Sequence, residues 1–236
     1  MLLLALDTAT RVCSVALGDG RKILAEYLLN VKRTHSQDLL PLIVSLLKNS
    51  GTHKSQLKGL AVNIGPGSFT GIRIGIATAK GFCQGLNIPA VGVMALDALA
   101  EAYAFCPALI CPILDARRNQ LYTALYRGGG DELEVLQPAA ALSLQELLAI
   151  FARYDEDIIF LGDALDSFRG ELSSALGKRY KETPVPFRQN RASLILQKGI
   201  KIWREKGGLA PDALKPFYLR LPEAERRLRE KRQGGR

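Results

Sequence analysis

The segment Gly65-Pro66-Gly67-Ser68-Phe69-Thr70-Gly71-Ile72-Arg73-Ile74-Gly75 constrains this chain more than any other. It follows the apolar run Leu60-Ala61-Val62-Asn63-Ile64, which reads as a buried strand, and residues 76–82 beyond it read as a helix. Glycine and proline set a tight strand-to-helix turn. Ser68 or Thr70 can then accept a hydrogen bond from a free first-turn amide. The Lys-Ser/Thr ending of a P-loop is missing, so a phosphate-loop reading is weak. Gly71, Gly75 and Ala79 recur every four residues, Cys83 extends the row, and this spacing puts them on one helical face. Glycine costs a helix interior about 1 kcal/mol relative to alanine. Something must therefore come close to the row: the backbone of a partner helix, or a tightly packed neighbour in the same domain.

A chain of 236 residues, 47% of them apolar, can bury a sizeable core in one large domain or two small lobes. No apolar run approaches the ~20 residues of a membrane helix. The apolar start ends at Asp7 with no basic segment before it, as expected of a first strand rather than a signal peptide. Cys13, Cys83, Cys106 and Cys111 form no CxxC pair and sit in apolar surroundings, which points to core thiols in a reducing cytoplasm. The formal net charge of +9 permits an acidic partner or RNA without specifying either.

Strands are expected at residues 2–6, 12–17 and 23–29, with a turn at Gly18-Asp19-Gly20. Leu39, Leu40, Ile43, Leu46 and Leu47 mark an amphipathic helix. Thr34 and Gln37 offer it a capping box, Pro41 predicts a kink or a later start, and Gly51 is a plausible stop. Strand 60–64, the glycine turn, its helix, strand 90–93 and a helix near 96–103 follow. A second pass then begins: strands at 109–114, 120–126 and 132–136, helix 144–151, strand 158–161, helix 164–176, an extended piece at 183–187 and helix 193–206. In both passes a buried strand ends in an acidic residue, Asp7 and Asp115. A strand meander followed by helices, twice over, predicts duplicated α/β lobes. The expected division is 1–106, 107–222 and a charged tail at 223–236 with six basic and three acidic residues.

Several stretches resemble the bacterial TsaB family, also called YeaZ. They are Leu4-Ala5-Leu6-Asp7-Thr8-Ala9-Thr10 with Ser14-Val15-Ala16-Leu17, His35-Ser36-Gln37 with Leu39-Leu40-Pro41, the Gly65 to Gly75 segment, Asp115-Ala116-Arg117, and Pro216 with Tyr218-Leu219-Arg220. The resemblance implies the two-lobed fold of actin, sugar kinases and Hsp70. It also implies a role in making threonylcarbamoyladenosine, the modified nucleoside beside the anticodon of certain tRNAs. On that reading the chain is a cytoplasmic, non-catalytic partner of TsaD, which transfers the threonylcarbamoyl group. TsaE is expected near the pair, a homodimer in isolation, and tRNA as a partner reached indirectly or by auxiliary contact. The partner surface expected from the two helices is Leu39, Ile43, Leu46, Gly71, Gly75, Thr78, Ala79 and Phe82.

The chemistry of an independent enzyme is missing. A nucleotide site of this fold wants glycine beside each strand-end aspartate, so that backbone amides can approach phosphates while carboxylates hold Mg²⁺. Asp7 is followed by Thr8-Ala9-Thr10, and Asp115 by Ala116-Arg117-Arg118-Asn119. Asp7, Thr8, Asp115 and Arg117 are left as a degenerate site with weak ATP or ADP binding at most, where Arg117 and Arg118 would crowd a phosphate or pair with it. TsaD resembles this fold but carries a metal-binding His-x-x-x-His pair. Here His35 is followed four positions on by Leu39, so no metal site is expected and His35 reads as a helix-start residue with local hydrogen bonds. The rival readings are an ATPase or small-molecule kinase of the same fold, and an RNA-binding module using Arg117, Arg118, Lys198, Lys201, Arg204, Lys206 and the tail.

Overall fold

A computed structural model describes residues 1–130 and 132–220. The expected tail at 223–236 lies outside the described residues. In chain order the first half gives β1 (Leu3–Asp7), β2 (Cys13–Gly18), β3 (Ile23–Leu29), α1 (His35–Asn49), β4 (Gly59–Gly65), α2 (Phe69–Leu86), β5 (Ala90–Met94) and α3 (Ala95–Glu101). The second half repeats the order: β6 (Leu109–Asp115), β7 (Gln120–Arg127), β8 (Glu134–Ser143), α4 (Leu144–Phe151), β9 (Ile158–Leu161), α5 (Leu165–Leu176), β10 (Tyr180–Glu182) and α6 (Ala192–Lys206). One sheet runs β3-β2-β1-β4-β5 and the other β8-β7-β6-β9-β10. In each, an antiparallel meander is extended by two parallel strands, and α1, α2, α4 and α5 are the crossovers that parallel pairing requires.

The alternation of side chains along β1 divides the first core in two. Leu4 and Leu6 join Leu39, Ile43, Leu46, Val62 and Ile72 under α1 and α2. Leu3 and Ala5 face the opposite way and join Ala61, Val93, Ile195, Leu196 and Ile200 under α6. That second face is built from small residues, so α6 approaches closely: a Cβ on Gly199 would lie 2.6 Å from Ala61 Cβ. Leu39, Ile43 and Leu46 are fully buried, and each contributes about 2 kcal/mol by leaving water.

Since α6 packs on the first sheet, the lobe boundary is not the single division expected at 106/107. The chain returns to the first lobe after residue 191. Leu209 bridges Ala90, and the Phe217 amide donates to Ile64 O at 2.7 Å. Between the sheets α3 lies beside α6, clamped where Glu101 accepts from Lys198 (2.9 Å) and Lys201 (3.0 Å).

Local expectations for α1 divide. The helix ends at Asn49 and Gly51 follows with φ 63°, as a glycine stop does. The Thr34 side chain, however, makes no capping bond to the helix backbone, and Pro41 sits inside a helix that neither starts later nor stops. Pro41 is exposed. The expected extended piece at 183–187 is instead a short 3-10 turn at Val185–Phe187. No helix among the described residues is long and apolar enough to cross a membrane.

Candidate functional site

The ends of β1, β4 and β6 meet at a cleft between the lobes. At its root Asp7 is almost completely buried. One of its oxygens, Oδ1, accepts from the Ala9 amide (3.0 Å) and from Asn63 Nδ2 (3.0 Å), while Oδ2 has no hydrogen-bond partner. Burial pushes the Asp7 carboxyl up to about 6, and the Ala9, Asn63 and Asn190 amides offset only part of that. The Asp163 carboxyl is also raised, by burial first and by the neighbouring Asp115 as a lesser cause.

The loop after β1 is sewn onto the glycine turn. Thr8 Oγ1 donates to Gly71 O (2.8 Å), and the Ser68 amide donates to Ala9 O (2.6 Å). A Cβ on Gly71 would stand 2.0 Å from Thr8 O, and one on Gly75 would stand 2.5 Å from Thr8 Oγ1. Ser68 caps α2 as expected, accepting from the Gly71 amide at 3.2 Å. His35 Nε2–H donates to Thr10 O at 2.8 Å, so its bond ties α1 to the loop after β1 rather than to its own neighbours. Three of the sequence stretches that stood out thus form one knot, which holds the wall of the cleft.

The knot corrects the expected partner surface. Leu39, Ile43, Leu46, Gly71, Gly75 and Ala79 are buried in the first lobe. Their row of small residues admits the Thr8 backbone, not a second molecule. Of the eight, only Thr78 and Phe82 keep partial exposure. The surface that α1 and α2 show to solvent is a different one. Leu40 is 51% and Val44 62% exposed. On α2, Ala77, Gly81 and Gly85 form a second small-residue row on the exposed side, and nothing among the described residues lies within 4 Å of a Cβ placed on Gly81 or Gly85.

The nucleotide-site expectation divides in the same way. Asp7 and Thr8 are turned into the interior, with the Thr8 hydroxyl already spent on Gly71. Asp115 and Arg117 do line the cleft, but as an ion pair of 3.3 Å. Asp115 also accepts from the Arg117 amide at 2.7 Å. The residues present do not fit a Mg²⁺-nucleotide of the kind this fold class holds. Nor do they fit the paired-histidine metal, because Leu39 is in the core and His35 is engaged by Thr10. Among the described residues no three His, Cys, Asp or Glu side chains gather as ligands. Burial raises the thiols, Cys13 and Cys111 to about 12 and Cys83 to about 11, which keeps them inert.

The open cleft has a volume of about 880 Å³, and most of its charge is positive. Arg11, Lys32, Arg33, Arg117, Arg118 and Arg220 face two carboxylates, Asp115 and Asp163. Aromatic residues Phe69, Tyr122, Phe217 and Tyr218 complete the lining. Arg73 stacks 4.0 Å from the Phe69 ring and its Nε donates to Tyr218 OH at 3.0 Å. Of the described basic residues weighed earlier for RNA, Arg117 and Arg118 stand here. Lys198 and Lys201 are committed to Glu101 inside the molecule. The cleft aromatics escaped the sequence because they sit 148 positions apart along the chain, at Phe69 and Phe217; only the return of the chain after α6 unites them.

A family model described as "TsaD: tRNA N6-adenosine threonylcarbamoyltransferase" matches residues 22–214. The tRNA threonylcarbamoyladenosine biosynthesis protein TsaB of Bacillus subtilis is 33% identical over 226 residues, covering 95% of this chain and 96% of the relative. The Escherichia coli protein of the same name is 40% identical over 147 residues, 58% of this chain and 63% of the relative. The crystal structure of YeaZ from Pseudomonas aeruginosa superposes with a TM-score of 0.75 at 27% identity, covering 92% of this chain and 99% of that one. The ethanolamine utilization protein EutJ of Carboxydothermus hydrogenoformans, at 14% identity and a TM-score of 0.51 over 83% of this chain, shares the fold alone. The architecture is thus the two-lobed actin, sugar-kinase and Hsp70 fold, and the chain belongs to the TsaB (YeaZ) family of tRNA threonylcarbamoyladenosine biosynthesis proteins.

Proposed function

We propose that this chain acts in tRNA threonylcarbamoyladenosine biosynthesis as a non-catalytic partner of TsaD, docking through the outer face of α1 and α2. The observation that carries the docking is the exposed pair Leu40 and Val44 on α1 together with the exposed small-residue row Ala77-Gly81-Gly85 on α2. Gly81 and Gly85 each weaken an exposed helix by about 1 kcal/mol, and nothing among the described residues comes near enough to require them. Small residues on one helix and apolar side chains on the next suit two helices of a relative in a four-helix contact. The same face would pair two copies of this chain when TsaD is absent. TsaE would join at or near the pair.

Val44→Glu tests this. The residue is exposed, so unfolding stability should stay within about 0.5 kcal/mol of wild type. Binding to TsaD, read by calorimetry, should weaken more than about tenfold, because the new charge is desolvated at the contact. Unmodified tRNA should accumulate, by mass spectrometry, in cells relying on this variant. Wild-type affinity in a folded variant would show that this face is not the interface.

Catalysis would then rest on TsaD. Asp7 is sealed under the loop after β1 and Asp115 is paired with Arg117, so neither strand-end carboxylate is positioned to hold a metal-bound nucleotide. Any ATP or ADP binding by the chain alone would be weak, and ATP hydrolysis should stay far below the ~1 per second of ordinary enzymes. Turnover near that rate, abolished by Asp115→Ala, would favour the ATPase alternative.

A further inference from the structure

We infer that the open edge of β3 docks an extended segment of another protein, apolar at alternate positions and acidic at both ends, which joins the first sheet as an added strand. This goes beyond the TsaD reading and uses a different part of the lobe, a strand edge rather than a helix face.

The two lobes manage equivalent edges differently. β3 and β8 each end a sheet, and among the described residues each pairs with one neighbouring strand. An edge strand turns the N–H and C=O groups of alternate residues outward, and proteins blunt such edges with proline, bulges or charge. β8 carries Pro138, and its ladder with β7 slips register twice. β3 is seven residues long and has no proline. Its ladder slips once, at the Ile23 end, and from Ala25 to Leu29 its pairing with β2 is unbroken.

The side chains at that edge are apolar where water is expected. Ile23, Leu24 and Leu28 are 39%, 42% and 37% exposed. Leu24, Glu26 and Leu28 share one face by strand alternation. Glu26 is the one charged residue of the strand, and it is already engaged. Its carboxylate accepts from Arg191 Nη2 at 2.6 Å and from the Ser193 amide at 2.9 Å. An added strand therefore covers the two leucines without burying an unpaired charge.

Charge at the two ends of β3 selects the occupant. Arg21 and Lys22 precede the strand, Lys32 and Arg33 follow it, and all four are exposed. Each end also has one carboxylate: Asp19 accepts from the Arg21 and Lys22 amides, and Asp38 pairs with Arg33 at 3.0 Å. Among these residues the basic side chains outnumber the acidic at both ends. Antiparallel pairing of two copies along the whole strand would bring the basic start of one against the basic end of the other. Like charges facing each other across strands disfavour that homodimer. A segment of a different chain with acidic ends meets the charge at both, while main-chain bonds supply the ladder.

The test uses the full chain and a fluorescent peptide that alternates valine and threonine between acidic ends, read by anisotropy. The peptide should bind, and more weakly as salt screens the exposed charges. Lys22→Glu/Lys32→Glu should lose at least about tenfold in affinity for it and gain about as much for the same peptide with lysine ends. A peptide with proline at its centre should not bind, because it cannot continue the ladder. At saturation the acidic-ended peptide should slow hydrogen exchange of backbone amides within Ile23–Leu29 by about tenfold or more, which side-chain contact alone would not do. Leu28→Lys should weaken binding by about fivefold at unchanged urea stability. If that variant unfolds, the reversal of end-charge preference in the lysine variant decides. Absence of binding to the folded wild type, or equal binding of the proline peptide, overturns the inference. So does a wild-type dimer in light scattering that Leu28→Lys dissolves and Val44→Glu does not, since a second copy would then be the occupant.

Discussion

Replacing Asp7 by Asn should stabilise the protein more at neutral pH than in mild acid. The Asp7 carboxyl titrates at about 6 in the folded chain against 3.8 in the open one, since burial removes its hydration. The folded state therefore holds a proton that the unfolded state releases between these values. Stability falls as pH rises through that window, and above about pH 6 the cost is fully present, on the order of 3 kcal/mol. The side chain of Asp7→Asn carries no charge to desolvate and can still accept from Ala9 and Asn63 through one oxygen. Urea unfolding of both proteins at about pH 4.5 and about pH 8 isolates the effect, since all other titrations cancel in the difference. The advantage of Asp7→Asn should grow by about 2 kcal/mol between the two. A constant difference would mean that Asp7 is charged and hydrated in the folded state.

Two glycines of α2 should respond to alanine in opposite directions. At Gly71 the new Cβ would lie 2.0 Å from Thr8 O and 3.1 Å from His35 Cδ2. Backbone cannot yield as a flexible side chain does, so either α2 or the loop after β1 must shift, at a cost of about 3 kcal/mol. At Gly81 a Cβ meets nothing within 4 Å, and alanine should add about 1 kcal/mol of helix stability. Thermal and urea unfolding of the two variants should therefore bracket wild type. If Gly71→Ala were as stable as wild type, the knot between β1, α1 and α2 would not hold the wall of the cleft.

The fold was largely legible because its signals are local. The alternation in β1, the apolar spacing of α1 and the Gly65 to Gly75 turn each announce one element. The acidic strand ends Asp7 and Asp115 announce the duplication. The site was less legible because it depends on which way a helix face turns. Leu39, Ile43 and Leu46 give the periodicity of an amphipathic helix whether that face meets its own sheet or a partner, and here it meets the sheet. The small-residue row Gly71-Gly75-Ala79 carries the same ambiguity, and Thr8 resolves it by reaching across 63 positions of sequence. Ala77, Gly81 and Gly85 have equal spacing and were hidden by the stronger row beside them. Burial of Asp7 is likewise invisible to composition, because it follows from the Ala9–Ser68 contact above it.

The position of α6 reaches into how the protein is made. The first sheet is complete in strands by Met94, yet most of its Leu3, Ala5, Ala61 and Val93 surface is covered by Ala192–Lys206, with Ala98 of α3 beside it. On a ribosome, where the chain emerges from its N-terminus, that surface stays open until nearly the whole second lobe has been synthesised. The two lobes must therefore complete as one cooperative unit. A chain stopped before residue 192 would present its nascent apolar sheet to chaperones rather than an autonomous first domain.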